Sequence, residues 1–265
     1  MNGLYSAHKV LLDELLKFGI KAFCYDSTDS TNARAREHVS VSEDIPALFL
    51  SDAQSTGRGR LGRSFFSPCG GLYMTLLAKA PSDAELFSRV TAITAVCASD
   101  AIYECFGIRS RIKWVNDLYL GGKKIAGILA ECFEEKGQRY IAIGIGVNLF
   151  PSTLPDDISD KAGFLFEEGV NADVPATRDF LALCLAKKLV CALGEGDTSE
   201  IMKRYREYSC VIGKRIIYTR NGVSVCAVAK DISESGALVV ILDDGEEVLL
   251  SSGEISVALE KGEFL

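Results

Sequence analysis

The sequence predicts an α+β protein: a mixed, largely antiparallel sheet with flanking helices, followed by a small β-barrel module. Three observations carry this. Strand-like runs alternate irregularly with long apolar helical runs up to about residue 210. Between residues 111 and 149 the strand-like runs follow one another directly, joined by tight turns. After residue 210 the texture changes to short β runs at close spacing. The expected division is therefore a body over 1–210 and a β module over 211–265.

Each element has a local reason. In "HKVLLDELLKF" (8–18) the periodicity places Val10, Leu11, Leu12, Leu15 and Leu16 on one helical face, and Gly19 follows as a C-cap. "IKAFCY" (20–25) reads as a strand. Ser30, Thr31 and Asn32 precede a helical run and suit its N-terminal cap. "ALFLSDAQ" (47–54) enters a glycine-arginine loop as a strand, and "GLYMTLLA" (71–78) leaves it as another. Residues 84–106 form a long apolar helix. Gly121-Gly122 and "EEKGQ" mark hairpin turns in the strand-rich stretch. Two helices follow, over 174–196 and 198–209. In the C-terminal module Asn221-Gly222, "SESG" and Asp244-Gly245 separate five short strands, enough for a small barrel.

Composition excludes several functions. The chain has 265 residues, a net charge of -7, 48% hydrophobic and 25% charged residues, as in ordinary soluble domains. An acidic chain lacks the basic footprint of a general nucleic-acid binder. Nine scattered cysteines show no CxxC pair, and there are two histidines, so zinc and histidine-based catalysis are disfavoured. Buried free thiols are expected. No run approaches the 18 or so apolar residues of a membrane span, and the N-terminus lacks a secretory h-region, so the expected location is the cytoplasm.

The chemistry concentrates in three segments. "GRGRLGR" (57–63) packs three glycines and three arginines into seven residues. Gly57, Gly59 and Gly62 let the backbone approach a ligand, while Arg58, Arg60 and Arg63 offer forked bonds to carboxylate or phosphate oxygens. Such a loop repels itself and is expected to be ordered by an anion. It lacks the GxxxxGK[ST] pattern of a Walker A loop and the length of a repetitive RNA-binding segment. "KWVNDLYLGGKKIAGILAE" (113–131) places Lys113, Asn116 and Asp117 at a strand end. Lys124 stands at the mouth of an apolar strand, where it aims its ammonium at an anion or discourages edge pairing. Lys123 falls on the other face. "GIGVNL" (144–149) carries two strand glycines that imply close approach, with Asn148 at its end; it is no Rossmann fingerprint.

Together, "DSTN" (29–32), "GRGRLGR", "KWVNDL" (113–118), "KKIAGIL" (123–129) and "GIGVNL" resemble the biotin protein ligase family, in its order and near its spacings, over almost the whole chain. The resemblance implies a class II synthetase-like core with an SH3-like C-terminal barrel. It implies two half-reactions: biotin and MgATP give biotinyl-5′-AMP, and a lysine of a biotin carboxyl carrier protein then takes the biotin. It assigns Arg60 and Lys124 to catalysis, with Ser30, Thr31, Asn32, Gln54, Arg58, Gly59, Arg60, Lys124 and Gly127 around biotin. Arg60, Arg63, Asn116, Lys124 and Asn148 fall to ATP, and Asp117 to Mg²⁺. It implies a homodimer through an exposed strand. Two departures stand out: Val115 replaces the family's proline, and Phe65 replaces its tryptophan. Some members carry an N-terminal DNA-binding domain of some sixty residues. "DSTN" begins here at residue 29, so a ligase without operator or other nucleic-acid binding is expected. A lipoate ligase or octanoyltransferase shares the fold, with Cys69 the nearest candidate nucleophile. A non-enzymatic biotin sensor is the third alternative.

Overall fold

The computed structural model describes residues 8–257, apart from 43, 171, 195, 196 and 221. The body is built on a seven-stranded sheet in the order β1-β2-β3-β7-β6-β5-β4. Its strands are β1 (Lys21–Tyr25), β2 (Ala47–Ser51), β3 (Leu72–Lys79), β4 (Arg111–Lys113), β5 (Asp117–Leu120), β6 (Lys123–Glu135) and β7 (Gln138–Val147). Only β1 and β2 run parallel. The other neighbours are antiparallel and mostly joined by tight turns. Gly121 and Gly122 both take positive φ, at 57° and 81°, so the two-residue β5–β6 connection has the mirror-image turn that matches strand twist.

Strand alternation sorts the side chains onto two faces. From β7, Ile141, Ile143, Ile145 and Val147 point to the back; Ala142, Gly144 and Gly146 point to the front. The back face is covered by α1 (Lys9–Lys17), α3 (Ala84–Phe106), α5 (Val174–Gly194) and α6 (Ser199–Tyr208), which bury one large apolar cluster with it. Among the described residues the front face carries one helix, α2 (Thr31–Val41), through Ala35 and Val39 against Phe49, Leu77 and Ala142. A short helix α4 (Asp156–Ser159) lies in the connection after β7. Half the front face is thus left open, and that is where the site forms. The long helix α3 is bounded as its sequence dictates. Asp83 accepts from the Glu85 amide at 2.8 Å, and Gly107 closes the helix in the left-handed conformation.

The C-terminal strands β8 (Arg215–Arg220), β9 (Val223–Ile232), β10 (Leu238–Leu242), β11 (Glu247–Leu250) and β12 (Ile255–Val257) form a separate antiparallel sheet. Its order is β11-β10-β9-β8-β12, and among the described residues no β11–β12 pairing closes it into a barrel. Gly222 adopts the positive φ that the β8–β9 turn requires; Asn221, the other expected turn residue, lies outside the described residues. The sheet is fastened to the body by Trp114, whose indole N–H donates to the Gly236 carbonyl at 2.9 Å, and by Arg206, which donates to Ile232 O at 2.7 Å.

Three expectations are corrected. In α1 only Leu11 and Leu15 are buried, while Val10 and Leu16 are 77% and 67% exposed. Consecutive leucines overfill the stripe that one flank of a helix can hide. The strand entering the arginine loop ends at Ser51, and Gln54 joins the sheet only through isolated bridges to Thr28 and Ser67. Of the nine cysteines only Cys97 is buried, and Cys69, Cys132, Cys191 and Cys226 are exposed; none of the nine forms a disulfide. Among the described residues, no helix is long and apolar enough to cross a membrane.

Burial predicts stability here, and composition does not. Leu15→Ala should cost about 2–5 kcal/mol of unfolding free energy, and Val10→Ala less than about 0.5. Urea denaturation of the two variants checks this; comparable losses would put α1 in a different packing.

Candidate functional site

The open half of the front face is paved with glycine. Gly127 on β6 stands opposite Gly146 on β7, and Leu129 stands opposite Gly144. A Cβ on Gly146 would lie 2.4 Å from the Phe65 ring, and one on Gly127 would lie 3.0 Å from it. A Cβ on Gly144 would fall 2.2 Å from Asn32 Oδ1. Any side chain at these positions would occupy space now taken by the arginine-loop segment and the start of α2. The glycines therefore set the depth of the site.

The "DSTN" segment sits at one end of this floor. Ser30 occupies the helix N-cap position, yet makes no side-chain cap bond. Ser30, Thr31 and Asn32 are instead buried at the sheet surface. Thr31 donates to Gln54 Oε1 from its amide at 2.9 Å and from its hydroxyl at 3.1 Å. Gln54 Nε2 in turn donates to Ser67 Oγ at 3.0 Å. Asn32 Nδ2 donates to Glu131 Oε2 at 2.8 Å and to Leu129 O at 3.3 Å, and Asn32 Oδ1 accepts from Thr75 at 2.6 Å. Burial works to raise the Asp29 carboxyl, but the Ser30 amide, the Thr28 hydroxyl and Arg34 outweigh it and hold it below the usual carboxylate range.

The arginine loop crosses over the floor. Gly57 O accepts from the Phe65 amide at 2.8 Å, and the Gly59 amide donates to Arg63 O at 2.7 Å. The bend between them puts Leu61 and Gly62 at positive φ. Each arginine finds a separate partner. Arg58 pairs with Glu131 at 3.0 Å, Arg60 donates to Asn116 Oδ1 at 3.1 Å, and Arg63 pairs with Glu254 just before β12.

Beneath the loop, Lys124 pairs with Asp117 at 2.6 Å, and its side chain lies over Gly127. Asn116 also donates to Ile128 O at 2.9 Å, which ties the turn before β5 to β6. Asn148 donates to Gly163 O at 3.0 Å and supports the far wall. Lys113 is buried, which pushes its ammonium below the ordinary lysine range against the pull of Asp117. Lys123 points away and donates to Ser159 O, as its place in the alternation requires.

The result is a wide cleft of about 1350 Å³ continuous with a narrow pocket of about 130 Å³. Arg60, Arg63, Asn116, Asp117 and Lys124 line both. Ser30, Thr31, Asn32, Arg58, Gly59 and Gly127 line the narrow part, Asn148 the wide part, and Gln54 touches both. The residues assigned to biotin, ATP and Mg²⁺ from the sequence therefore converge here, whereas Gly62 and Lys123 line neither space. Glu131, within β6, and Glu254, just before β12, were missed, because a lone glutamate carries no sequence signal until its arginine partner is known. Cys69 is exposed on the wide cleft, but neither histidine lines it; His8 pairs with Asp179. Among the described residues no group of three acidic, histidine or cysteine side chains is placed to hold a metal ion.

This arrangement defines a wide cleft lined by both cations and carboxylates, with a narrow, glycine-floored recess at one end where Arg58, Arg60, Arg63 and Lys124 face Asp117 and Glu254. Residues 24–148 match the model of the biotin/lipoate A/B protein ligase family, and residues 211–257 match the biotin protein ligase C terminal domain. The chain is 30% identical to the biotin–[acetyl-CoA-carboxylase] ligase of Paracoccus denitrificans over 84% of its length and 95% of that protein. It is 29% identical to the bifunctional ligase/repressor BirA of Bacillus subtilis over 91% of its length and 78% of that protein. The solved biotin protein ligase from Aquifex aeolicus in complex with biotin and ATP superposes with a TM-score of 0.74 at 26% identity, covering 89% of this chain and 97% of that one. The chain belongs to the biotin/lipoate A/B protein ligase family.

The two floor glycines should respond differently to a methyl group. Gly144→Ala drives Cβ into Asn32, which is held on three sides, and should cost about 1–3 kcal/mol. Gly146→Ala meets the Phe65 ring, which is half-buried and makes no side-chain hydrogen bond to hold it, and should cost less. Urea midpoints of the two variants in the reverse order would show that Asn32 is the more yielding neighbour.

Proposed function

We propose that this protein is a biotin–protein ligase that works through an acyl-adenylate. The biotin carboxylate attacks the α-phosphorus of ATP and pyrophosphate leaves. The resulting biotinyl-5′-AMP is attacked at its acyl carbon by a lysine amine of a biotin carboxyl carrier protein, and AMP leaves. The observation that carries this reading is the continuity of the two spaces. A narrow recess with Phe65, Ile128, Leu129 and Ile145 in its lining opens into a cleft large enough for a nucleotide, and the cations Arg60 and Lys124 stand at the junction.

The roles follow from that layout. Ser30, Thr31 and Gln54 recognise the ureido ring of biotin, and Asn32 braces them with an amide already committed to protein partners. Phe65 and Gly127 form the apolar walls for the valeryl chain. Lys124 and Arg60 neutralise charge on the carboxylate and α-phosphate as the mixed anhydride forms; this is positioning with electrostatic stabilisation, and no side chain need form a covalent bond. Arg63, Asn116 and Asn148 serve the nucleotide. Arg58 and Gly59 close the loop.

Mg²⁺ enters with ATP in this reading. Asp117, the carboxylate paired with Lys124 at the junction, suits an ion held mainly by phosphates and water. Residues 1–210 act as the catalytic domain and 211–265 as an SH3-like module whose Glu254 reaches the loop. A cytoplasmic location and the absence of an operator-binding role belong to the same proposal; the net charge of -7 supports the latter.

Two measurements test this. Pyrophosphate exchange into ATP, run separately with biotin, lipoate and octanoate, should occur with biotin alone. Exchange with another acid keeps the fold and overturns the substrate. Arg60→Gly should weaken retention of the adenylate by about 2–4 kcal/mol, because a charged partner leaves a partly desolvated site. The variant should release reactive intermediate and label bystander lysines. Retention equal to wild type would remove Arg60 from the retaining contacts.

A further inference from the structure

Glu131 is a carboxylate that touches both Asn32, at the edge of the narrow pocket, and the loop above it. It lies four residues beyond Gly127 on β6, on the same face, and is only partly exposed. Its two oxygens are divided between partners of different kinds. Oε2 accepts from Asn32 Nδ2 at 2.8 Å, and Oε1 accepts from Arg58 at 3.0 Å. Asn32 is fixed: its oxygen accepts from Thr75, its second amide hydrogen goes to Leu129 O, and Gly144 leaves no room to withdraw. Arg58 is at the start of a loop whose side chains are largely exposed. A carboxylate held on its rigid side is thus offered to a mobile cation on the other.

We propose that Glu131 is a positioning residue that holds Arg58 closed over the narrow pocket and fixes the orientation of the Asn32 amide beneath it. This rests on the reading of the pocket as the biotin site. The carboxylate has no donor, so it can only accept, and Asn32 must present its NH₂ to it and its oxygen to Thr75. A glutamine at 131 could turn its own NH₂ toward Asn32 and remove that constraint. It would also remove the charge that draws Arg58 in. Glu131 touches no reacting atom, so its loss should act on ligand retention and leave the chemical step alone.

The test uses Glu131→Gln, Glu131→Asp and the double variant Glu131→Gln/Arg58→Gln in the full-length protein. Tryptic cutting after Arg58 in the protein without biotin or ATP should rise about two- to fivefold in Glu131→Gln, the factor expected for a partly exposed ion pair. Cutting at the wild-type rate overturns the latch, whatever the enzyme's substrate. In biotin-dependent pyrophosphate exchange, KM for biotin should rise about tenfold in Glu131→Gln while kcat stays within about twofold. Glu131→Asp should recover much of the loss, and adding Arg58→Gln to Glu131→Gln should raise KM little further. A lowered KM would make the ion pair a gate against biotin and overturn the proposal, as would a fall in kcat at unchanged KM. A wild-type protein that exchanges no biotin, yet shows the expected change in cutting, would count against the biotin reading and leave the latch in place.

Discussion

The site depends on mutual repulsion within a short loop. Arg58, Arg60 and Arg63 occupy alternate and near-alternate positions in six residues and cannot pack against one another. Each is drawn to an acceptor on a different part of the molecule: Glu131 in mid-β6, Asn116 before β5, and Glu254 before β12. The loop is stretched over the floor by these three attachments. They are individually weak, since exposed ion pairs contribute about 1 kcal/mol or less. An anion that satisfies the guanidinium groups better than a single side chain does can therefore rearrange the loop at small cost. Weak native partners leave the three guanidinium groups available to a stronger anion.

The floor supplies the opposite property. Gly127, Gly144 and Gly146 sit on two adjacent strands whose reverse faces are apolar, isoleucine and valine on β7 against Ala126, Ile128 and Ala130 on β6. The back of the sheet is packed and rigid, while the front is stripped to backbone. Phe65 and Asn32 then rest against the sheet at distances no side chain would permit. A phenylalanine serves as a cover there as well as a larger ring does. What it lacks is an indole N–H, and the polar contacts around it are made by Gln54 and Ser67 instead.

Much of this was legible in the sequence, for physical reasons that can be named. Turn chemistry at Gly121-Gly122 and the alternation in "IGIGVNL" carry the strand pairing, and the arginine loop announces its ligand's charge. Less was legible where a property depends on distant chain segments. The cysteines look buried from their apolar neighbours, but neighbours in sequence lie on both sides of a strand or helix, so four of the nine face outward. The leucines of α1 look like one stripe, but packing uses only Leu11 and Leu15. "STN" reads as a helix cap because those residue types cap helices. Its side chains are instead taken by Gln54, Thr75 and Glu131, partners 20 to 100 residues away that offer buried geometry a local cap cannot match.

The C-terminal sheet shows the same limit from the other side. Its hairpin signals give the strands, but closure depends on whether the outermost strands meet, and no turn dipeptide encodes that. Its contribution to the site does not require closure. Trp114, whose neighbours Lys113 and Asn116 belong to the cleft, donates to Gly236 between β9 and β10, while Glu254 reaches Arg63 from the turn before β12. The first contact is half-buried and fixes the sheet to the body. The second is exposed and is made to the arginine loop, so the sheet meets the site through one held contact and one solvent-facing ion pair of the kind that contributes little to stability.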